Sequence, residues 1–430
     1  MESMGGTNDK IYIGITGPDL ITSSGGSLNH ALNVISLITK DYNIVYVPEP
    51  YLIAKYHKNV GKTIETINRL RNLNVIVPEF IEKAVAGKIS NSLLMRKYKE
   101  NLKVDFVFNF NQDFPLLSED FSYKLSKIHG VRYGVCFQNP CFGKMSFFSY
   151  VYDSIRMSLL GRNYHSFLFR IYQYIRMARV IKQTLSREEL EFIFIINGDC
   201  QQKFRRNFKN SKLLSPANGI ANPADLKFLD LSINENRAVK KNQILFFARL
   251  SYSKGIFDLK PILSEILKER DTKLIVVGRF DHNFEKRIFL KQMRPFIINK
   301  KLVYKDYLEN DEFYREISES KVMVYPSHSD AYPIGVLQSL YFKTPVVAYE
   351  IPSLSMYKQF SAVRLVPEFD VTNFSKEVVY LLSLKDSSML FPSTTSEFVE
   401  NHSWSKVAQQ YKVIFDTVNK GNGPKKSFRN

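Results

Sequence analysis

The chain has 430 residues, of which 44% are hydrophobic, and it carries a formal net charge of +18 at pH 7. Such a length predicts two hydrophobic cores rather than one. The three cysteines, Cys136, Cys141 and Cys200, form neither an even disulfide framework nor a Cys-x-x-Cys pair, so a disulfide scaffold is excluded and a reducing cytoplasm is expected. The N-terminus lacks an apolar core, and no apolar run approaches the roughly 20 residues of a membrane span, so neither a secretion signal nor a transmembrane helix is expected.

The first predicted elements are a strand, a glycine-containing loop and a helix. The strand IYIGIT (11–16) precedes Ser24-Gly25-Gly26-Ser27, and apolar residues then recur at helical spacing over 28–37, before a second strand, NIVYV (43–47). A glycine pair after a first strand lets the backbone approach a ligand closely, although such glycines also serve as simple turns. No G-x-G-x-x-G is present here, which excludes the dinucleotide fingerprint.

Basic and aromatic residues interleave over 144–182, where Asp153 is the one acidic residue. The basic residues are Lys144, Arg156, Arg162, Arg170, Arg176, Arg179 and Lys182. This pattern is typical of a helix that lies on an anionic membrane surface, with its rings at the level of the lipid headgroups. It fits equally a helix whose aromatic side chains face a core while the arginines are solvated. Nucleic acid is not expected as a partner, because no motif of a nucleic-acid-binding module occurs.

The segment QILFFARLSYSKGIFDL (243–259) predicts a buried strand, followed by Arg249 and then by Lys254-Gly255 at the start of a helix. A bidentate Arg and a point-charge Lys at the end of a strand can neutralise a departing diphosphate without a metal ion. Taken alone, the same two cations are also what a solvated surface would carry.

The segment VMVYPSHSDAYPIGVLQSLYFKTPVVA (322–348) predicts a strand, a polar loop, a short helix and another strand. In such a βαβ unit, ligands bind beyond the carboxyl ends of the strands and at the N-terminus of the helix. Residues 327–334 occupy that place.

Together these segments resemble the signature of the retaining glycosyltransferases of family 4. Pro326, Ser327 and the run 344–348 match the family pattern as they stand. The two glutamates of the pattern, which in the family contact the donor sugar and the ribose, fall on Asp330 and Gln338, and Pro333 replaces a glycine. Gln338 can still form hydrogen bonds with ribose hydroxyls but contributes no charge.

The resemblance implies a site. Its implied catalytic residues are Arg249, Lys254 and Asp330. Its implied donor-binding residues are Gly25, Gly26, Arg249, Lys254, Gly278, Tyr307, Leu308, Asp330, Tyr332, Pro333, Ile334 and Gln338. The implied acceptor-binding residues are Ser27, Gln138 and Asn139, where Gln138 stands at a position at which family members commonly have a histidine. No metal and no cofactor is implied.

The resemblance also implies the α/β fold called GT-B, in which two Rossmann-like domains face a cleft and a C-terminal helix crosses back to the first domain. We place the first domain, for the acceptor, at 1–220 and a linker at 221–240. The second domain, for the nucleotide-sugar donor, is placed at 241–395, and the returning helix with its tail at 396–430.

The expected function is therefore the transfer of a sugar from a nucleotide-sugar donor to a hydroxyl of a glycan or lipid-linked acceptor, with retention of configuration and without a metal. The protein is expected in the cytoplasm, where its partner surface would be the cytoplasmic face of an anionic membrane. The alternative is a non-catalytic relative that binds a nucleotide sugar or a partner enzyme, as the substitutions Gln138, Pro333 and Gln338 suggest. The donor's sugar and base, the acceptor and the oligomeric state do not follow from the sequence.

Overall fold

The computed structural model describes residues 10–21, 26–111, 120–137, 151, 155, 164–196, 239–328, 330 and 332–421. Several of the sequence predictions fall on other residues. Gly25, Gln138, Asn139, most of the basic and aromatic stretch before residue 164, and the predicted linker up to residue 238 lie outside the described part of the chain.

The first half of the chain forms a parallel sheet of five strands in the order β2-β1-β3-β4-β5. These strands are β1 (Tyr12–Gly17), β2 (Asn43–Tyr46), β3 (Phe106–Asn109), β4 (Arg132–Phe137) and β5 (Leu190–Ile195). The described helices among them are α1 (Gly26–Ile38), α2 (Pro50–Tyr56), α3 (Val60–Asn72), α4 (Glu79–Val85), α5 (Asn91–Asn101), α6 (Phe121–His129) and α7 (Tyr164–Leu185).

The second half forms a parallel sheet of six strands in the order β11-β10-β9-β6-β7-β8. These strands are β6 (Lys241–Phe247), β7 (Lys273–Val277), β8 (Leu302–Lys305), β9 (Ser320–Tyr325), β10 (Val346–Tyr349) and β11 (Val363–Val366). The helices that follow β6 are α8 (Leu259–Glu269), α9 (Asn283–Ile298), α10 (Asn310–Glu319), α11 (Ile334–Tyr341), α12 (Val371–Ser383), α13 (Ser393–Glu400) and α14 (Trp404–Gly421).

Burial on both faces explains why these strands read as continuous apolar runs. In β9, Val322, Met323 and Val324 are all at most 1% exposed, so no alternation of polar and apolar residues is possible. Helices carry the polar residues instead. In α8, for example, Leu259, Ile262, Leu263 and Ile266 are buried on one side. The expected α/β fold with two parallel sheets is confirmed.

The last helix returns to the first domain, as predicted. In α14, the hydroxyl of Tyr411 lies 2.8 Å from Nε2 of His30 on α1, and Lys412 pairs with Asp41 at 3.0 Å. Tyr42 donates a hydrogen bond of 2.5 Å to Asp416. The predicted boundary at residue 395 falls inside α13, which packs against α11 of the second domain, whereas α14 packs against α1 of the first.

Among the helices that the structure describes, none combines the length and the apolar character that a membrane span requires.

Candidate active site

The predicted site residues of the second domain lie along one edge of its sheet. Strands β9, β6, β7 and β8 are consecutive neighbours, and all are parallel. Their carboxyl ends therefore open at the same edge, where they lead into Pro326, Ala248, Gly278 and Asp306. Because neighbouring strands lie about 4.8 Å apart, these loops span about 14 Å, a length that suits an extended nucleotide sugar.

Two of these loops are bonded directly to each other. The backbone N–H of His328 donates to the carbonyl of Ser253 at 2.9 Å, and Oγ of Ser327 donates to the same carbonyl at 3.2 Å. Gly255 has φ +74°, and a Cβ placed there would lie 1.8 Å from the carbonyl oxygen of Pro326. A glycine is therefore required at this position, both for its conformation and for the close approach of the second loop.

This approach brings Lys254 and Asp330 together. The Nζ atom of Lys254 lies 2.6 Å from Oδ2 of Asp330, and both side chains are only 14% exposed. Tyr325, the last residue of β9, donates its hydroxyl hydrogen to the same carboxylate oxygen. Burial, reinforced by the charge of Asp330, raises the pKa of Tyr325 far above its ordinary value, so its phenol remains a donor. The carboxylate is therefore held in place by a cation and a neutral donor.

Arg249 is the more accessible cation of the site. Its side chain is 66% exposed, and its Nε atom lies 3.3 Å from Oδ2 of Asp281. Gly278, at the end of the neighbouring strand, has φ +144°, and a Cβ there would lie 1.9 Å from the carbonyl oxygen of Ala248. The glycine thus allows the loops after β6 and β7 to touch, which keeps Arg249 at the edge of the sheet.

The far end of the edge, after β8, carries an aromatic ring covered by a guanidinium group. The guanidinium carbon of Arg279 lies 5.0 Å from the centre of the Tyr307 ring, and its Nε atom lies 3.7 Å from Asp306. Tyr304 donates to Asp306 at 2.7 Å. Tyr307 is 57% exposed, whereas Leu308 is partly buried against the core. An exposed ring beside a cation is a surface on which a planar base can stack.

The predicted donor-binding residues around the start of α11 differ in how accessible they are to a ligand. Pro333 precedes the helix and offers no N–H, while the N–H of Ile334 is bonded to the carbonyl of Tyr332. The side chain of Tyr332 is buried, with its ring 6.0 Å from that of His402, so it faces the interior and not the edge of the sheet. Gln338 is half-buried on α11, one turn after Ile334.

In the first domain the structure describes less of the predicted site. Gly26 and Ser27 begin α1, and α1 follows β1 at the carboxyl edge of the first sheet. Gly25, Gln138 and Asn139, as noted, lie outside the described residues. The acceptor-binding residues stay a prediction.

Sequence reasoning missed several residues that the structure adds to the edge, among them Arg279, Tyr325 and His328. Arg279 follows Gly278, the first residue after β7, and a charged residue just beyond the carboxyl end of a strand is a signal that could have been used. The partners of His328 are 70 and 40 residues away along the chain, so no local pattern indicates them.

Comparison with known proteins agrees with this architecture. The family model for glycosyl transferases group 1 matches residues 230–391. An uncharacterized glycosyltransferase of Methanocaldococcus jannaschii, MJ1607, is 28% identical over 115 residues, which are 26% of this chain and 28% of that protein. The alignment thus spans little more than a quarter of the relative's length.

Solved structures match over nearly the whole chain. A sucrose-phosphate synthase from Thermosynechococcus elongatus has a TM-score of 0.66 at 12% identity, covering 96% of this chain and 100% of that one. A glycosyltransferase from Rickettsia africae has a TM-score of 0.62 at 14% identity, covering 96% and 99%. Anabaena Alr3699/HepE, solved with UDP and glucose, has a TM-score of 0.61 at 9% identity, covering 95% and 100%.

At such low identities these structures establish the fold alone, and the family model matches residues 230–391 alone. The chain therefore has the GT-B fold, and its second domain is similar to the glycosyl transferases group 1 family.

Proposed function

We propose that this protein is a glycosyltransferase that moves a sugar from a nucleotide-sugar donor to a hydroxyl of a glycan or lipid-linked acceptor, with retention and without a metal ion. The observation that carries the proposal is the contact between Lys254 and Asp330, beside the accessible Arg249, at the carboxyl edge of the second sheet. Cations and an acid at that edge suit a donor that has both a diphosphate and a sugar.

The order of the strands supports one orientation of the donor. The sugar would lie at Asp330 after β9, the diphosphate at Arg249 and Lys254 after β6, and the base near Tyr307 after β8. The ribose would then lie within reach of α11 and Gln338. Two solved neighbours support a nucleotide-sugar donor: HepE was solved with UDP-glucose, and S. aureus TarM with UDP and α-GlcNAc-glycerol.

The charges at the edge would act during bond breaking. As the bond between the anomeric carbon and the phosphate oxygen breaks, negative charge gathers on the diphosphate, where Arg249 and Lys254 stabilise it. The acceptor oxygen attacks on the face that the leaving group departs from, and its proton passes to the departing phosphate oxygen. No nucleophile from the enzyme is needed, and the product keeps the configuration of the donor.

Lys254 has a second role in this scheme. Its charge is paired with Asp330 in the structure, so neither buried charge is left alone. A bound diphosphate gives Lys254 a second anionic partner, and Asp330 can then accept hydrogen bonds from the sugar hydroxyls. The ion pair thus holds Lys254 and Asp330 in position for the donor without leaving a buried charge unpaired.

The test is donor binding and turnover in the wild type, Arg249→Ala and Lys254→Ala, with a panel of nucleoside diphosphate sugars and no added metal. The control is Arg69→Ala, which removes a similarly exposed arginine that is paired with Glu65 on α3 of the first domain. We expect hydrolysis or transfer by the wild type and the control, and a loss in both site variants. Equal activity in all four proteins would contradict the proposal.

A non-catalytic relative is the second candidate, favoured by the uncharged Gln338 on α11. In that case the wild type would bind a donor but would neither hydrolyse nor transfer it. The same panel separates the two candidates, since binding without turnover in the wild type supports the second.

For the acceptor, we propose delivery at the cytoplasmic face of an anionic membrane. On α7, Leu168, Tyr172 and Ile175 are more than half exposed, and their spacing of four and three residues places them on one face. The sequence of this helix contains basic residues and no acidic ones. An apolar stripe among cations suits the headgroup region of a bilayer.

Flotation with vesicles that contain anionic lipid tests this surface at low salt. The double variant Leu168→Ser/Ile175→Ser should stay with the soluble fraction while the wild type floats. Val413→Ser on α14, which changes a side chain that is 55% exposed, is the matched control and should float like the wild type. A wild type that stays soluble would refute membrane delivery.

A further inference from the structure

A buried histidine in the donor loop makes contacts that none of the roles above uses. His328 is 1% exposed, with Nε2 lying 2.6 Å from Oδ2 of Asp258 and Nδ1 lying 2.7 Å from Oε1 of Glu368. Asp258 precedes α8, and Glu368 follows β11. One imidazole ring therefore joins three loops at the edge where the proposed site lies.

The geometry defines the protonation of this ring. A carboxylate only accepts hydrogen bonds, whereas a neutral imidazole donates from one nitrogen and accepts at the other. Two carboxylate oxygens within 2.7 Å of the two nitrogens therefore require a donor at each, and an imidazolium supplies both. Loss of one proton would turn one of these contacts into a repulsion.

The surroundings of the ring hold it in this place. His328 stacks on Phe369, with ring centres 4.7 Å apart, and on Tyr252 at 5.6 Å, while the Tyr349 ring lies 5.5 Å away. Phe369 has a φ of +71°, a backbone conformation that is costly for any residue other than glycine. The residue with this strained backbone is therefore the one whose ring covers His328.

The direction of titration follows from these groups. The titratable groups against the ring are Asp258, Glu368 and the phenols of Tyr252 and Tyr349. Burial alone would lower the pKa of His328, but the hydrogen bonds to Asp258 and Glu368 outweigh it, so the pKa lies above its ordinary value. A histidine with a raised pKa stabilises the folded site fully at pH values below its ordinary pKa, and this contribution is lost as the pH rises through the raised pKa.

The ring is also tied to the donor loop through the backbone. The backbone N–H of His328 donates to the carbonyl of Ser253, the residue before Lys254. Asp330, which pairs with Lys254, follows His328 by two residues. A shift of His328 would therefore move Lys254 and Asp330 relative to each other.

We propose that His328 is a positioning residue of the donor site: as an imidazolium held by Asp258 and Glu368, it fixes the loop that carries Asp330 and makes donor affinity fall in alkaline solution. This inference rests on the proposed function, because it concerns the same site.

The test measures binding of UDP and GDP by calorimetry from pH 6 to pH 9. For the wild type we expect affinity to fall at least tenfold across one alkaline step. Glu368→Gln keeps an acceptor but removes one charge, and it should move the midpoint of that step down by about one pH unit. His328→Gln should bind weakly throughout and show no such step.

Glu350→Gln is the matched control, because Glu350 also follows a strand of this edge but pairs with Lys358 in solvent. Its midpoint should equal that of the wild type, so that a shift in Glu368→Gln reports the loss of the charge beside His328 and not the loss of any one carboxylate at this edge. A midpoint unchanged by Glu368→Gln, or a step that persists in His328→Gln, would overturn the inference.

Hydrogen exchange of residues 320–335 gives a readout that needs no ligand. After correction for intrinsic rates, protection in the wild type should fall across the same alkaline step, and protection in His328→Gln should be low throughout. Equal protection in both proteins refutes the positioning role. Lack of binding by the wild type, at any pH, of UDP, of GDP and of every donor in the panel refutes the proposed function itself, and with it the control of donor affinity.

Discussion

The carboxyl edge of the second sheet and the contact of α14 with the first sheet are held together by different forces. At the edge, successive strand ends carry charge pairs, such as Lys254 with Asp330 and Arg249 with Asp281. Beneath α14 the contacts are aromatic: Tyr411 lies 4.7 Å from Phe194 between ring centres, and Phe415 lies 5.4 Å from Phe108. Charges can exchange partners when a ligand arrives, whereas packed rings cannot do so without opening a cavity.

The comparison teaches where each kind of mutation should act. Substitutions among the rings should cost folding free energy, because buried area is lost. Substitutions among the charges should cost binding and turnover with little effect on folding. Measuring stability and activity in the same variants tests this difference.

The largest expected effect on stability is that of Phe108→Ala. This ring is fully buried and contacts five others, Phe110, Phe192, Phe194, Tyr411 and Phe415. Truncation should lower the free energy of unfolding by about 3–5 kcal/mol, as measured by chemical denaturation. Tyr380→Ala, at a ring that is 47% exposed, is the control and should cost less than about 1 kcal/mol. Similar losses in both variants would show that the rings are not a packed core.

The largest expected effect on activity is that of Arg249→Ala. Loss of one group that stabilises charge in a transition state typically lowers turnover by about 10²–10³-fold. Because the side chain is 66% exposed, the free energy of unfolding should change by less than about 0.5 kcal/mol. Steady-state kinetics measure the turnover, and chemical denaturation of the same preparation measures the free energy of unfolding. A large loss of folding free energy in Arg249→Ala would show that the charges at the edge also stabilise the fold, which contradicts the difference between the two regions.

An intermediate effect is expected of Gly255→Ala, which acts on the close approach of two loops. Gly130 is a matched control, because its φ is +64° and a Cβ there would meet no atom within 4 Å. Gly130→Ala should cost about 1–2 kcal/mol of folding free energy for the left-handed conformation alone. Gly255→Ala should cost more, because its Cβ would lie 1.8 Å from the Pro326 carbonyl oxygen, and it should also weaken donor binding. Equal costs would mean that the loops separate without penalty.

The smallest expected effect is that of Gln338→Glu. A carboxylate forms stronger hydrogen bonds with ribose hydroxyls than an amide does, so donor affinity should rise about three- to tenfold. Isothermal titration with the donor found in the panel measures this, and Gln359→Glu, at an exposed position, is the control. A decrease would indicate that Gln338 does not face the ribose.

The sequence was sufficient for β1, β2, β6, β9 and β10 and for the two loops that meet at the edge. Runs such as 322–325 are apolar on both faces because the strands are buried on both faces, and this pattern is visible without a structure. The presence of Arg249, Lys254 and Asp330 at one edge of the sheet followed from the resemblance to a family signature.

The remaining contacts could not be predicted, for a physical reason. That His328 meets Asp258 and Glu368 depends on the sheet order β11-β10-β9-β6, which brings distant loops together. The inward position of Tyr332 depends on how α11 and α13 pack, since its ring lies near His402. Such facts depend on tertiary packing, which local spacing does not encode.

The return of α14 has a consequence for the order of synthesis. The ring of Tyr411 lies against residues of α1 and of the first sheet, and it bonds to His30, which is 381 residues earlier. The first domain therefore lacks part of its core until α14 has been synthesised. A nascent chain that stops before Trp404 would leave the rings of Phe108 and Phe110 without their contacts to Tyr411, so translation through α14 is a requirement for a finished first domain.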